Sequence, residues 1–178
     1  LAAKETGDKI WIQIMGLHDV TAIKQICDKY SVHYLYQEDI LNVDQRPKVE
    51  EEDNYLYVCF KSINWDQTEK CLEEEQVSLI LTQNTLISFR ESYEDNYDTI
   101  RERIMSPASI IREKNIDYLF YRILDITVDA YYDIMEMLGA YIEDLEEEIM
   151  ESPSQSTLVK IQSNKKDLMY LRKNLFPL

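Results

Sequence analysis

The 178 residues amount to one domain, or one domain with an appendage, and 45% apolar with 11% aromatic side chains is enough for a sizeable core. Three glycines and four prolines exclude the low-complexity, collagen-like and linker-like classes. Nineteen Lys and Arg against 34 Asp and Glu leave a formal charge of −15, which repels phosphate backbones and attracts cations, so no nucleic-acid partner is expected.

Two regimes meet near residue 105: an α/β part over 1–105 and long helices over 106–178. Ile10, Ile12 and Ile14 alternate as on one face of a strand, and Gly16-Leu17-His18-Asp19 turns the chain into a helix carrying Val20, Ile23, Ile26 or Cys27, and Tyr30. Residues 33–41 form a second short helix. Arg46-Pro47-Lys48 then breaks regular structure and leads into an acidic turn from Glu50 to Asn54. Tyr55 to Ile63 is aromatic and β-branched, as in a buried strand. Gln76 to Thr82 and Thr85 to Phe89 should pair as a hairpin around Gln83-Asn84, because Asn tolerates the positive φ of tight turns.

Beyond Met105, apolar residues from Ile116 to Ile149 recur at three- and four-residue steps, which predicts one helix of about 35 residues, roughly 50 Å long. Ser152-Pro153-Ser154 ends it and can cap a second helix carrying Leu158, Ile161, Leu168, Leu171 and Leu175. The pair should fold back as an antiparallel hairpin, with the longer helix projecting from the body and needing a partner. The fold class expected is therefore α/β with a mixed sheet, followed by a long antiparallel helical hairpin.

Cys27, Cys59 and Cys71 are widely spaced and form no CxxC pair, so they read as reduced intracellular thiols. No run approaches the roughly 18 to 20 apolar residues that cross a bilayer, and no signal-peptide pattern opens the chain. The expectation is a soluble, cytosolic polypeptide that is part of something larger. Catalytic motifs are missing: Gly7, Gly16 and Gly139 are too far apart for a phosphate loop, and no GxSxG elbow occurs, so no enzymatic activity is expected.

What the chain has in quantity is carboxylates. Glu143 to Glu151 holds six acidic side chains, with Leu145 and Ile149 marking the packed face. A solvated helix face is the plain reading. The functional one is a surface that attracts divalent cations or a basic partner, since acids at a helix C-terminus oppose the macrodipole. Carboxylates also suit Mg²⁺, which takes one or two of them and fills its octahedron with water. Local candidates are Glu38 and Asp39 in QEDIL, and Asp125 with Asp129 one turn on. His18 and His33 sit near helix starts and read as capping or partly buried groups, not as ligands.

The strings YLYQEDILNVDQRPKVE, starting at Tyr34, and EEEQVSLILTQNTLISFRE, together with Arg101-Glu102-Arg103-Ile104 and Asp117-Tyr118-Leu119, resemble the cytoplasmic part of the CorA family of magnesium transporters. The likeness runs from Trp11 to Leu178. It implies an α/β/α sandwich followed by funnel helices, five subunits, and a pore made by two membrane helices and a Gly-Met-Asn loop that lie outside this sequence. It also implies Mg²⁺ between neighbouring cytoplasmic domains holding the channel closed, with Asp39 as the first regulatory ligand, Glu38 beside it and Asp125 near a second cation position. The Asp opposing Asp39 would lie beyond Leu178, so half of that site is expected here. The chain is then the Mg²⁺-sensing cytoplasmic domain of a homopentameric channel for Mg²⁺ and other divalent cations, attached to the membrane through its missing helices. Alternatives are a zinc, cobalt or nickel carrier of the same family, and a freestanding acidic protein whose helical hairpin binds a basic partner.

Overall fold

The computed structural model describes residues 8–93 and 97–175. In chain order these form β1 (Ile10–Met15), α1 (Val20–Lys29), α2 (Tyr34–Leu41), β2 (Lys48–Glu51), β3 (Leu56–Asp66), β4 (Cys71–Leu81), β5 (Thr85–Arg90), α3 (Asp98–Met105), α4 (Ile110–Glu113), α5 (Ile116–Glu151) and α6 (Gln155–Leu175). The five strands make one sheet in the order β1-β5-β4-β3-β2. Only the β1–β5 pairing is parallel, with Ile12 opposite Ile87. The mixed sheet expected from sequence is therefore present.

Successive side chains on a strand point to opposite faces, and here both faces are apolar. Tyr57, Cys59, Ile80, Ile87 and Phe89 pack against Ile23, Cys27 and Val32 of the α1 region and Ile40 of α2. Val58, Phe60, Val77, Leu79 and Leu86 pack against Ile100, Ile111, Ile116, Leu119 and Ile123 from α3, α4 and α5. The result is an α/β/α sandwich. Asp19 caps α1, its Oδ1 accepting from the Ala22 amide at 2.9 Å. Gly16 enters that helix at φ +82°, where a Cβ would also collide with Tyr93 and His18. Cys27 and Cys59 are free and buried; burial pushes the Cys27 thiol up to about 12, which leaves it inert.

In the sheet, three features differ from the sequence reading. Lys48–Glu51 is an edge strand and not part of an acidic turn; its Val49 is 61% exposed, so no apolar face marks it, and pairing with β3 makes it. The hairpin at Gln83-Asn84 closes without a positive φ at either residue. Thr82 does the work instead: its amide donates to the Thr85 carbonyl at 2.8 Å and its hydroxyl accepts from the Thr85 amide at 3.1 Å. Finally, β3 and β4 run further than expected, pairing from Leu56↔Leu81 to Asp66↔Cys71.

That prolonged hairpin carries α5. At 36 residues the helix is about 54 Å long. It lies on the sandwich through Ile123 and then on the hairpin extension, where the Tyr131 hydroxyl donates to the Lys61 carbonyl and Trp65 meets Tyr141 at 5.8 Å. Helix α6 returns antiparallel, placing Leu171 with Tyr131, Ile134 and Leu138. Ser154 caps it by accepting from the Thr157 amide at 3.1 Å. Its inward face is Thr157, Asn164, Leu171 and Asn174, while Leu158 and Leu168, expected to pack, point outward.

One ion pair inside this frame is almost dry: Arg90 on β5 pairs with Glu75 on β4, at 2% and 11% side-chain exposure. Glu75 also accepts from the Ser92 amide at 3.0 Å, and the Arg90 guanidinium lies 4.8 Å from the Tyr97 ring at the start of α3. Glu75→Leu is expected to cost about 3 kcal/mol in urea unfolding, because it removes one half of a buried ion pair and the acceptor of the Ser92 amide. Adding Arg90→Met should recover most of that loss. A cost no larger than that of a surface pair, about 1 kcal/mol, would contradict this.

Candidate functional site

The acidic pair singled out in the sequence lies on α2. His33 caps this helix, its Nδ1 accepting from the Leu35 amide at 3.4 Å, which is the capping role expected of it. Ile40 faces the sheet and Gln37 ties α2 to the α1 region, its Nε2 donating to Asp28 Oδ1 and to the Val32 carbonyl, both at 3.0 Å. Glu38 is exposed on the outer face, and Asp39 sits half-buried where the helix ends.

Two buried polar side chains from β3 and β4 hold this helix end and the loop behind it. Gln76 Nε2 on β4 donates to the Asp39 carbonyl at 2.8 Å. The buried Lys61 ammonium on β3 donates to the Val43 carbonyl. A buried polar group has to find a partner, and here the partners are backbone carbonyls of the α2–β2 connection. Pro47 is buried, and Lys48 opens β2.

The Asp39 carboxylate is not bare. Lys48 Nζ lies 2.5 Å from its Oδ2, with 14% of the Asp39 and 30% of the Lys48 side chain exposed. The same ammonium is 5.7 Å from the Tyr36 ring centre and 5.8 Å from that of Tyr57, two rings 4.9 Å apart. Tyr36 donates to Glu52 Oε1 at 2.6 Å, and that bond raises its pKa; burial raises that of Tyr57. The sequence places Asp39 near the end of the short helix over 33–41, where it stands, but does not link it to Lys48, Tyr36, Tyr57, Lys61 or Gln76. The one available signal was that Lys61 and Gln76 border the largely apolar stretches 57–60 and 77–81.

Asp125 is on α5, on the other side of the sheet from α2, so the structure does not bring it to Asp39. It too is paired within its own helix: Arg122 Nη1 donates at 2.5 Å and the Tyr121 hydroxyl at 3.0 Å. Asp129 is exposed one turn on. In the 143–151 run, Glu143, Asp144, Glu146, Glu147 and Glu151 are exposed, Leu145 is buried, and Ile149 is 40% exposed, off the packed face expected for it. Glu148 joins α5 to α6, accepting from Lys160 and Thr157, each at 2.7 Å, and these bonds hold its carboxyl below the usual range. Among the described residues no three His, Cys, Asp or Glu side chains converge as a metal site. A cavity of about 380 Å³ lies elsewhere, between the start of β1, α4 and α5. Lys9 crosses there to the Arg112 carbonyl at 2.9 Å, so its polar groups fasten the strand to α4.

The chain is thus an α/β/α sandwich with a long helical hairpin and a charge-paired Asp at the end of α2. Residues 7–178 match the family of CorA-like Mg²⁺ transporter proteins, and the chain belongs to that family. It is 40% identical to the cobalt/magnesium transport protein CorA of Thermotoga maritima over 178 residues, all of this chain and 51% of that one. The chain thus spans about half the length of that relative. The complete structure of the CorA magnesium transporter from Methanocaldococcus jannaschii superposes with a TM-score of 0.76 at 19% identity, over 99% of this chain and 55% of that one. The ZntB cytoplasmic domain from Vibrio parahaemolyticus gives 0.59 at 18% identity, over 94% and 64%. At such identities the two structures speak for the fold.

Because Asp39 is largely covered and paired, Asp39→Asn is expected to cost about 1 kcal/mol in urea unfolding, the upper end for a partly screened ion pair. An unchanged midpoint would show that the Lys48 contact adds nothing to stability.

Proposed function

We propose that this chain is the Mg²⁺-sensing cytoplasmic portion of a homopentameric channel for Mg²⁺ and related divalent cations, with the pore in a part of the protein outside this sequence. The match to a transporter family along residues 7–178 is the observation that carries the reading. Two further features support it. Each copy carries −15, so copies packed side by side repel unless cations gather between them. And among the described residues no helix is long and apolar enough to cross a membrane, in keeping with a pore formed elsewhere in the protein.

Asp39 is the proposed ligand, with Glu38 beside it and Asp125 at a second position. The Asp39 carboxylate has the chemistry Mg²⁺ favours, a hard oxygen that can act directly or through water. Its Oδ2 receives Lys48, and Oδ1 has no hydrogen bond among the described residues. One carboxylate fits an ion that keeps most of its water and takes a second ligand from a neighbouring subunit. Subunits joined in this way would favour a closed, symmetric packing, and loss of the ion would let them separate, a population shift driven by differential binding.

The test is current or uptake as a function of internal Mg²⁺ in the complete transporter, wild type against Asp39→Asn at matched expression. The variant should stay open at higher internal Mg²⁺. Superimposable curves would contradict the assignment of Asp39.

A further inference from the structure

Two of the three proposed cation ligands already hold a cation supplied by the chain itself: Lys48 at Asp39 and Arg122 at Asp125. The Asp39 pair is the more elaborate. Its ammonium is held by a carboxylate oxygen at 2.5 Å and by two tyrosine rings within cation–π range, and Lys48 is held in register by β2, opposite Cys59. We propose that Lys48 is a tethered competitor for the divalent cation at Asp39, so that cation binding there and the Lys48–Asp39 ion pair are alternatives. The inference rests on the reading of Asp39 as a cation ligand.

The physical case has three parts. A positive charge on Oδ2 cancels much of the carboxylate's attraction for a second cation and repels it directly, and the half-buried setting weakens the screening that would otherwise mask this. A tethered group is also present at a fixed, high effective concentration, whatever the ion content of the solution. Lastly, Lys48 can leave. Its compact ammonium rides on a flexible stem and is 30% exposed, whereas Arg90, at 2%, has no path to water. Lys48 therefore raises the cation concentration at which Asp39 becomes available.

The experiment is an NMR titration of the complete transporter in nanodiscs, its lysine side chains isotope-labelled, with MgCl₂ at ionic strength matched by NaCl, on wild type, Lys48→Met, Asp39→Asn, the double variant, and Lys24→Met, which removes an exposed Lys elsewhere as a charge control. Lys48→Met should lower the Mg²⁺ midpoint by about tenfold relative to Lys24→Met, the factor that corresponds to about 1.4 kcal/mol. The gain should vanish in the double variant. In wild type the Lys48 side-chain nitrogen resonance should move as Mg²⁺ saturates, a readout that needs no substitution and holds even if a variant misfolds. If Asp39→Asn weakens Mg²⁺ binding while Lys48→Met matches Lys24→Met, or if the Lys48 resonance stays fixed at saturating Mg²⁺, the competition is overturned and the reading of Asp39 stands. If Asp39→Asn leaves the wild-type midpoint unchanged, the reading of Asp39 fails and the competition fails with it.

Discussion

The β3–β4 hairpin has to be kept from water on both faces, and most of the molecule follows from that. Val58, Phe60, Val77 and Leu79 look one way and Tyr57, Cys59 and Ile80 the other, so a single layer of helices cannot cover them. Helices α1 and α2 close one face, while α3, α4 and the first turns of α5 close the other. The hairpin then continues past the sandwich, and its outer end, with Ile63, Trp65 and Leu72, needs its own cover. Helices α5 and α6 supply it, which gives α5 something to lie on for most of its length.

The same constraint positions the candidate site. Lys61 and Gln76 are polar side chains buried beside the apolar stretches of their strands, and they stand opposite each other in the β3–β4 register. Neither can turn to solvent. Each finds a backbone carbonyl on the α2–β2 connection, Val43 for one and Asp39 for the other. A requirement for satisfied hydrogen bonds in the core thereby sets where an acidic helix end stands at the surface.

Much of this was legible in the chain. Alternating Ile10, Ile12 and Ile14, the turn at Gly16-Leu17-His18-Asp19, the cap at Ser152-Pro153-Ser154, and the three- and four-residue spacing from Ile116 onward each gave the right element, because each is a local signal. Lys48–Glu51 escaped since an exposed edge strand of charged residues has no periodic apolar face. The α6 stripe was misphased because its inward positions are partly polar, Thr157, Asn164 and Asn174, and an apolar count favours Leu158 and Leu168. Of the site, the sequence pointed to Glu38 and Asp39 in QEDIL and to Asp125 one turn before Asp129, with roles implied by the family resemblance. It did not show that Lys48 and Arg122 neutralise two of them, since the Lys48 pairing depends on the β2–β3 register.

A buried lysine in the sheet holds the segment that presents Asp39. Amide hydrogen exchange on Lys61→Met measures that hold. The Asn42 and Gln45 amides should exchange about tenfold faster or more, while amides at the centre of β3 and β4 keep their protection, a local opening and not a global one. Unchanged exchange at Asn42 and Gln45, or a uniform acceleration across the sheet, would contradict it.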